Sequence, residues 1–480
     1  MCKEIKFNRT TLISVFLATV LVGLFIGKFT VPISIWWLIF VVLLLPFSVR
    51  KGLLALVVII ACGLLMGWWR GGILQAQNTA YYDIFNKTVI LTAQATEDGF
   101  YSSKSQLEFT ADKITIDNQT LPGKIRVWGF GEAAVYRHDI VKVHGKLYPA
   151  LGGKQANISF AELDVIKRAQ SPIDNFRRDF ITGVESALPE PAASLGVGLL
   201  VGQRSLLPVD IALILTAAGL THIVAVSGYN LTIIIRGTTK SLKRLSRFQI
   251  LACSLFLIYT FLLVTGYAPS IVRAAIVATL GLIAWYFGRN IKPILLILIA
   301  AAITAFYNPY YVWGDIGWYL SFLAFFGILI VGPALTIRLF KHKKAPLLAC
   351  VAIESLSAQI MTLPLIILIF SRVSIISFLS NILVVPLVPF GMLFTMFAGF
   401  AGMIYPAIAG WIALPARIIL NTMLALAKWF SGLPGAKVQV SAGVGTMIIL
   451  YIILLVLILG LNRRAQSVIL EQKQMISNKD

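Results

Sequence analysis

Between Gly198 and Asn230 an apolar sequence is broken by Gln203, Arg204, His222, Ser227 and Asn230, with Gly202, Pro208, Gly219 and Gly228 spaced among them. An ionisable side chain in hydrocarbon costs about 2.5–3.5 kcal/mol, so those that persist usually face a cavity or a partner. Irregular backbone at that depth is tolerated only where protein covers it or water lines it. Two chemistries suit these residue types: a wall of polar groups along a hydrated path, or a Ser227 nucleophile with His222 as its base. Spacing disfavours the second, because five residues on an unbroken helix set the side chains about 140° apart, beyond hydrogen-bond reach. A blander reading makes the run an interfacial loop with Arg204 snorkelling.

Similar residues recur further along. Arg236 continues the first series, and Arg273 stands about one turn into the next apolar run but one. Asp315 lies at the edge of another, while Glu354, Ser355, Ser357 and Gln359 fall within an otherwise apolar stretch. Arg417 and Asn421 are four apart on one helical face. Each alone reads as a helix-end anchor or an internal ion pair. Their recurrence points to a shared polar interior.

The elements that must position these groups are membrane helices. Of 480 residues, 58% are hydrophobic and only 13% charged, and mean hydropathy is +0.86; a soluble domain carries about a quarter charged residues. Runs of about 20 apolar residues are long enough to cross hydrocarbon. They cover 11–29, 32–49 and 52–69, then 209–236, 248–266, 270–288, 293–308, 318–337, 347–370, 374–401, 403–430 and 443–461. A polytopic α-helical membrane protein with about 11–12 transmembrane helices is expected.

Lys and Arg number 41 against 20 Asp and Glu, a net charge of +21. Basic clusters at 50–51, 240–247, 289–292, 338–344 and 463–464 fall between alternate crossings. The positive-inside rule then puts both termini in the cytoplasm and residues 70–170 outside. That outer stretch is nearly neutral, so net charge by itself does not argue for nucleic acid. The four cysteines form no CxxC and the four histidines are scattered, so no metal and no cofactor is expected. Gly23-x3-Gly27 and Gly63-x3-Gly67 permit close helix packing, within one chain or in a homodimer.

From Thr88 to Arg168 the pattern changes to short alternating segments: 89–93, 107–110, 113–116, 124–128, 140–145 and 157–160, with a turn signal at Asp117-Asn118-Gln119. About five strands in about 80 residues suit a small barrel or sandwich, the OB-fold being one five-stranded option. Arg126, Trp128 and Phe130 share one face of their strand, as do Lys142, His144 and Lys146 of theirs.

The run from Gly198 to Asn230 resembles the signature of the ComEC family, the inner-membrane DNA-uptake channels of natural competence. Three further segments are similar to that family's competence domain: Tyr267 to Ala275, Asp315 to Gly327, and Glu354 to Pro389 with its core from Ala358 to Pro364. Residues 30–170 resemble its N-terminal unit, which carries an OB-like fold outside the membrane. Two departures remove ionisable groups: Gln203 stands where the family usually has an acid, and Tyr229-Asn230 replaces a Leu-His pair.

The resemblance implies 1–70 as N-terminal transmembrane helices, 71–170 as an extracytoplasmic OB-like β-barrel domain inserted after the third helix, and 171–190 as an amphipathic connector. Residues 191–462 become the competence-type channel domain and 463–480 a cytoplasmic tail. It implies a cell-membrane channel, not itself an enzyme, that translocates single-stranded DNA into the cytoplasm during transformation. Arg204, His222, Ser227, Asn230, Arg236, Arg273, Glu354 and Gln359 are its candidate path residues, touching phosphates weakly at many sites. Arg126, Trp128, Phe130, Lys142 and Lys146 are candidate DNA-binding residues on the β face, where bases could stack; packing of Trp128 and Phe130 against membrane or bundle is the alternative.

Many family members continue into a metallo-β-lactamase-like nuclease domain, and no His-x-His-x-Asp-His run is present here. Implied partners are therefore lipid, single-stranded DNA, a separate nuclease, an extracytoplasmic DNA receptor and, since no nucleotide-binding loop is seen, a cytoplasmic ATP-driven translocase. A secondary transporter of a small solute is the rival, since it too would use broken helices; the intramembrane Ser/His hydrolase is the lesser one.

Overall fold

The computed structural model describes residues 7–30, 32–34, 36–37, 39, 52–101, 106–150, 153–169, 171–203, 207–224, 228–242, 244–267, 269–289, 291–340, 345–434, 436 and 438–477, with backbone alone at 229, 236, 347, 372 and 462–477. The chain divides into two compact units, residues 1–175 with 262–319 and residues 176–261 with 320–480.

In the first unit, α1 (Arg9–Ile26) and α2 (Leu53–Tyr82) pack against each other. Lipid offers no hydrophobic drive between helices, so close approach must supply the attraction. A Cβ on Gly67 would lie 2.2 Å from the Val20 carbonyl oxygen, and one on Gly23 would lie 2.3 Å from that of Leu64. The small-residue patterns thus serve contact within this chain. At 30 residues α2 is about 45 Å long, more than a membrane needs, and its last turns enter the β region. There Tyr81 is buried and donates to the Pro122 carbonyl at 2.7 Å.

Seven strands then form one sheet. Five are long: β1 (Thr88–Ala95), β2 (Leu107–Ile116), β3 (Ile125–Phe130), β4 (Ile140–Pro149) and β5 (Ala156–Lys167). β1 pairs with β4, β4 with β5, β5 with β3, β3 with β2, and β2 returns to β1; the β3–β5 pair is parallel and the others antiparallel. Each long strand therefore has two neighbours, which removes the exposed edge that invites aggregation. Inside lie Leu91, Phe109, Ile125, Val127, Val141, Val143, Leu147 and Ile158, each at most 1% exposed. The period-two alternation of the sequence is the cause, since one pleat face must be apolar when the ring closes.

In the second unit the apolar core gathers the helices Ala192–Val201, Val388–Ile404 and Leu414–Ser431. The amphipathic helix α3 (Pro172–Ala187) brings Phe180 and Val184 into that core, where Phe180 stacks edge-on against Phe400 at 5.6 Å.

Among the described residues eight helices are long and apolar enough to cross a membrane, or nine if Pro406–Ile412 and Leu414–Ser431, bent by 55°, make one span. The chain is a multi-pass membrane protein. Its described spans are fewer than the 11–12 the hydropathy suggests, for three local reasons. The expected crossing 32–49 lies largely outside the described residues. Residues 293–308 give only a 15-residue helix, Pro293–Tyr307, about 22 Å long. The expected helix 209–236 is not continuous but falls into Val209–Ala217, Thr221–Val224 and Gly228–Ser241.

Candidate functional site

The interruptions have a backbone cause. Gly202 ends the helix Ala192–Val201 in the left-handed conformation, with φ +80°, and Gly219 follows Val209–Ala217 with φ +73°. Glycine reaches that region without a Cβ penalty, and Pro208 cannot continue a helix from behind. At ten residues, Ala192–Val201 is about 15 Å long, half of a hydrocarbon core. This is broken-helix geometry.

Of the candidate path residues, Arg204 and Ser227 lie outside the described residues, as does the side chain of Arg236. Asn230 is 1% exposed, and its Nδ2 donates to the Leu199 carbonyl at 2.9 Å. It ties the helix after the break to the end of the helix before it. His222 is exposed on its four-residue helix. Glu354 and Gln359 are half-buried on the helix Leu347–Phe370, and Gln359 Nε2 donates to Ser355 Oγ one turn earlier, at 3.4 Å. Gln203, at the family's usual acidic position, accepts from Arg177 Nη2 at 3.3 Å.

The same unit buries polar atoms that sequence reading did not single out as a group. Ser357 Oγ, Thr395 Oγ1 and Asn381 Oδ1 are inaccessible and make no hydrogen bond among the described residues. Ser357 lies opposite a π-helical turn, Gly327–Val331, where a Cβ on Gly327 would sit 2.4 Å from the Ser357 carbonyl oxygen. Such turns appear often at functional sites.

Arg273 belongs to the first unit. It is 3% exposed, and its Nη2 donates to the Gly317 carbonyl at 3.2 Å. Gly317 lies in the first turn of the helix Ile316–Phe326, and Asp315 caps that helix, accepting from the Trp318 amide at 2.7 Å.

On the β region, Arg126 and Trp128 are half-buried and Phe130 is exposed, all on the outer face of β3. The Arg126 guanidinium lies 5.4 Å from the Trp128 ring and its Nε 3.6 Å from Glu108. Lys142, His144 and Lys146 are exposed on β4, but β5 sets carboxylates beside two of them. Asp164 faces Lys142, and Glu162 faces His144 with Nδ1 3.6 Å from the carboxylate. Lys146 rests over Tyr148 at 5.6 Å. This strand is a charge-balanced face rather than a bare cationic track.

Lys154, in the loop between β4 and β5, is a cation that periodicity could not pick out. Its Nζ donates to Thr110 Oγ1 at 2.8 Å. Burial, and then the neighbouring Arg126 guanidinium, push the ammonium from its ordinary 10.5 down to about 8. Between these values the unfolded chain holds the extra proton, so stability rises with pH across the window and is lowest below about 8. In thermal unfolding from about pH 7 to 10, wild type is expected to gain on Lys154→Met as pH rises through about 8. Parallel curves would contradict it.

Residues 199–464 match the family model described as Competence protein. Over 218 residues the chain is 28% identical to ComE operon protein 3 of Bacillus subtilis (strain 168); the match covers 45% of this chain and 27% of that protein, so it spans about a quarter of the relative's length. No solved structure matches the chain.

Proposed function

The chain belongs to the ComEC family of competence proteins, and from that premise we propose that it conducts one strand of DNA inward across the cell membrane during transformation. A polyanion crossing a low-dielectric slab needs a hydrated lumen with scattered cationic and hydrogen-bonding groups that hold it weakly. The observation that carries this reading is the twice-broken helical run ending at Gly202 and Gly219, inside the family-matched region. Breaks of this kind free backbone and polar side chains at membrane depth. Arg204, Ser227, Arg236, His222, Glu354 and Gln359 are its path candidates; Asn230 braces the helices of the same unit, while Arg273 braces a helix start within the first unit.

The ring of β1 to β5, with one parallel pair, supports an OB-like barrel. It lies outside the membrane in this reading, with both termini cytoplasmic, and its β3 face receives the strand. The protein acts as a conduit rather than an enzyme. Strand degradation, DNA capture and the driving force come from a separate nuclease, a receptor and an ATP-driven translocase.

The test is uptake of labelled DNA by a host lacking this gene. Internalised label is expected to fall to background, to return with the wild-type chain and not to return with Arg204→Ala. Uptake that survives the deletion would sink the proposal.

A further inference from the structure

Phe160 has φ +56°, in the left-handed region where a bulky side chain is an outlier. A bulge puts it there. β3 and β5 pair at Val127–Ile158 and next at Gly129–Ala161, while β4 and β5 pair at Lys146–Ser159 and next at His144–Glu162. Both neighbours take two steps where β5 takes three, and Phe160 lies within the extra step. Bulges re-aim side chains beside functional sites. Here the ring is turned outward, 71% exposed, with its centroid 6.4 Å from that of Phe130, itself 46% exposed. Trp128 is about 7 Å further along the same face of β3, with Arg126 over it. Lys124 and Lys154 bring more positive charge to the Arg126 end, which Glu108 and Glu97 offset in part.

We propose that Phe160 is a base-stacking residue, forming with Phe130 and Trp128 one platform for successive bases of a single DNA strand whose phosphates pass Arg126, Lys124 and Lys154. The inference rests on the DNA reading above and adds to it the residue Phe160. Left-handed strain in a non-glycine residue persists where the surroundings over-determine it, and it clusters at ligand sites. A bulge with no task for the ring would suit Gly or Asn, which reach this φ at little cost. A lipid seat fits less well. Glu162 lies two residues on, with its side chain 81% exposed; that carboxylate is tolerated beside a neutral base but not in hydrocarbon.

The experiment is fluorescence anisotropy of a labelled oligo-dT with the full chain, in nanodiscs and in detergent. Phe160→Asn keeps the backbone conformation and removes the ring; it is expected to raise Kd about tenfold in both media, with a thermal midpoint unchanged or higher. Phe160→Tyr should bind as wild type. Wild-type affinity in Phe160→Asn beside a loss in Trp128→Ala would overturn this inference and leave the conduit reading standing. A thermal midpoint that falls together with affinity would make the ring structural, and a loss confined to nanodiscs would seat it against lipid; either overturns it. No oligonucleotide binding by wild type in either medium would remove the β-face part of the DNA reading as well.

Discussion

Asp174→Ala is expected to destabilise the first unit by about 3–5 kcal/mol, the cost of breaking a buried ion pair by removing one partner. The Asp174 side chain is 3% exposed, 3.6 Å from the Arg137 guanidinium and 2.7 Å from His138 Nδ1. Arg137 is buried too, and its Nη1 also donates to the Leu263 carbonyl at 3.5 Å. One carboxylate therefore holds the start of α3 to the 131–139 loop, and the same guanidinium reaches the end of the helix Arg247–Thr265. Without that carboxylate, the buried Arg137 guanidinium loses this ion-pair partner and keeps its hydrogen bond to the Leu263 carbonyl. Surface ion pairs are worth about 0–1 kcal/mol, so the size of the effect decides which kind this is. Reversible unfolding in detergent would measure it, and a loss below about 1 kcal/mol would show that solvent reaches the pair.

Gly67→Leu should prevent α1 and α2 from packing. The atoms a Cβ would meet are backbone, the Val20 carbonyl oxygen at 2.2 Å and the Leu24 nitrogen at 2.7 Å, and no side chain can swing away to make room. Overpacking of a side-chain core costs about 1–3 kcal/mol; here two helix axes must separate, and in lipid their attraction depends on that approach. The folded, monodisperse fraction after extraction is expected to collapse. Gly281→Ala is the control, since nothing lies within 4 Å of its Cβ position, and it should extract like wild type. Equal yields for the two variants would mean that α1 and α2 do not pack as described.

The path residues divide according to how local their signal is. Gly202, Pro208 and Gly219 mark the breaks in sequence because glycine and proline act on their own backbone. Arg126, Trp128 and Phe130 share a face for the same kind of reason, a period of two that any short window displays. Asn230 looks in sequence like a lumen group, whereas its amide is committed to the Leu199 carbonyl 31 residues earlier. Lys142 reads as a free cation until β5 sets Asp164 beside it. Partners across strands and helices depend on register and loop length, which no periodicity records.

Composition and hydropathy by themselves determined that this chain lives in a membrane, that glycine, proline and polar residues interrupt its apolar pattern between residues 198 and 230, and that an alternating β region is inserted among its spans. These are consequences of transfer free energy and local backbone preference, and each acts over a few residues. Composition and hydropathy did not fix the span count, since 209–236 falls into three helices and 293–308 gives only a short one. Only the tertiary structure decided that five strands close on one another through a parallel pair, that Asp174 shares a buried site with Arg137, and that Phe160 stands outward in a conformation its residue type disfavours. Contacts of that kind are made between distant segments, and a strained φ is a property of the packing imposed on a residue rather than of the residue itself.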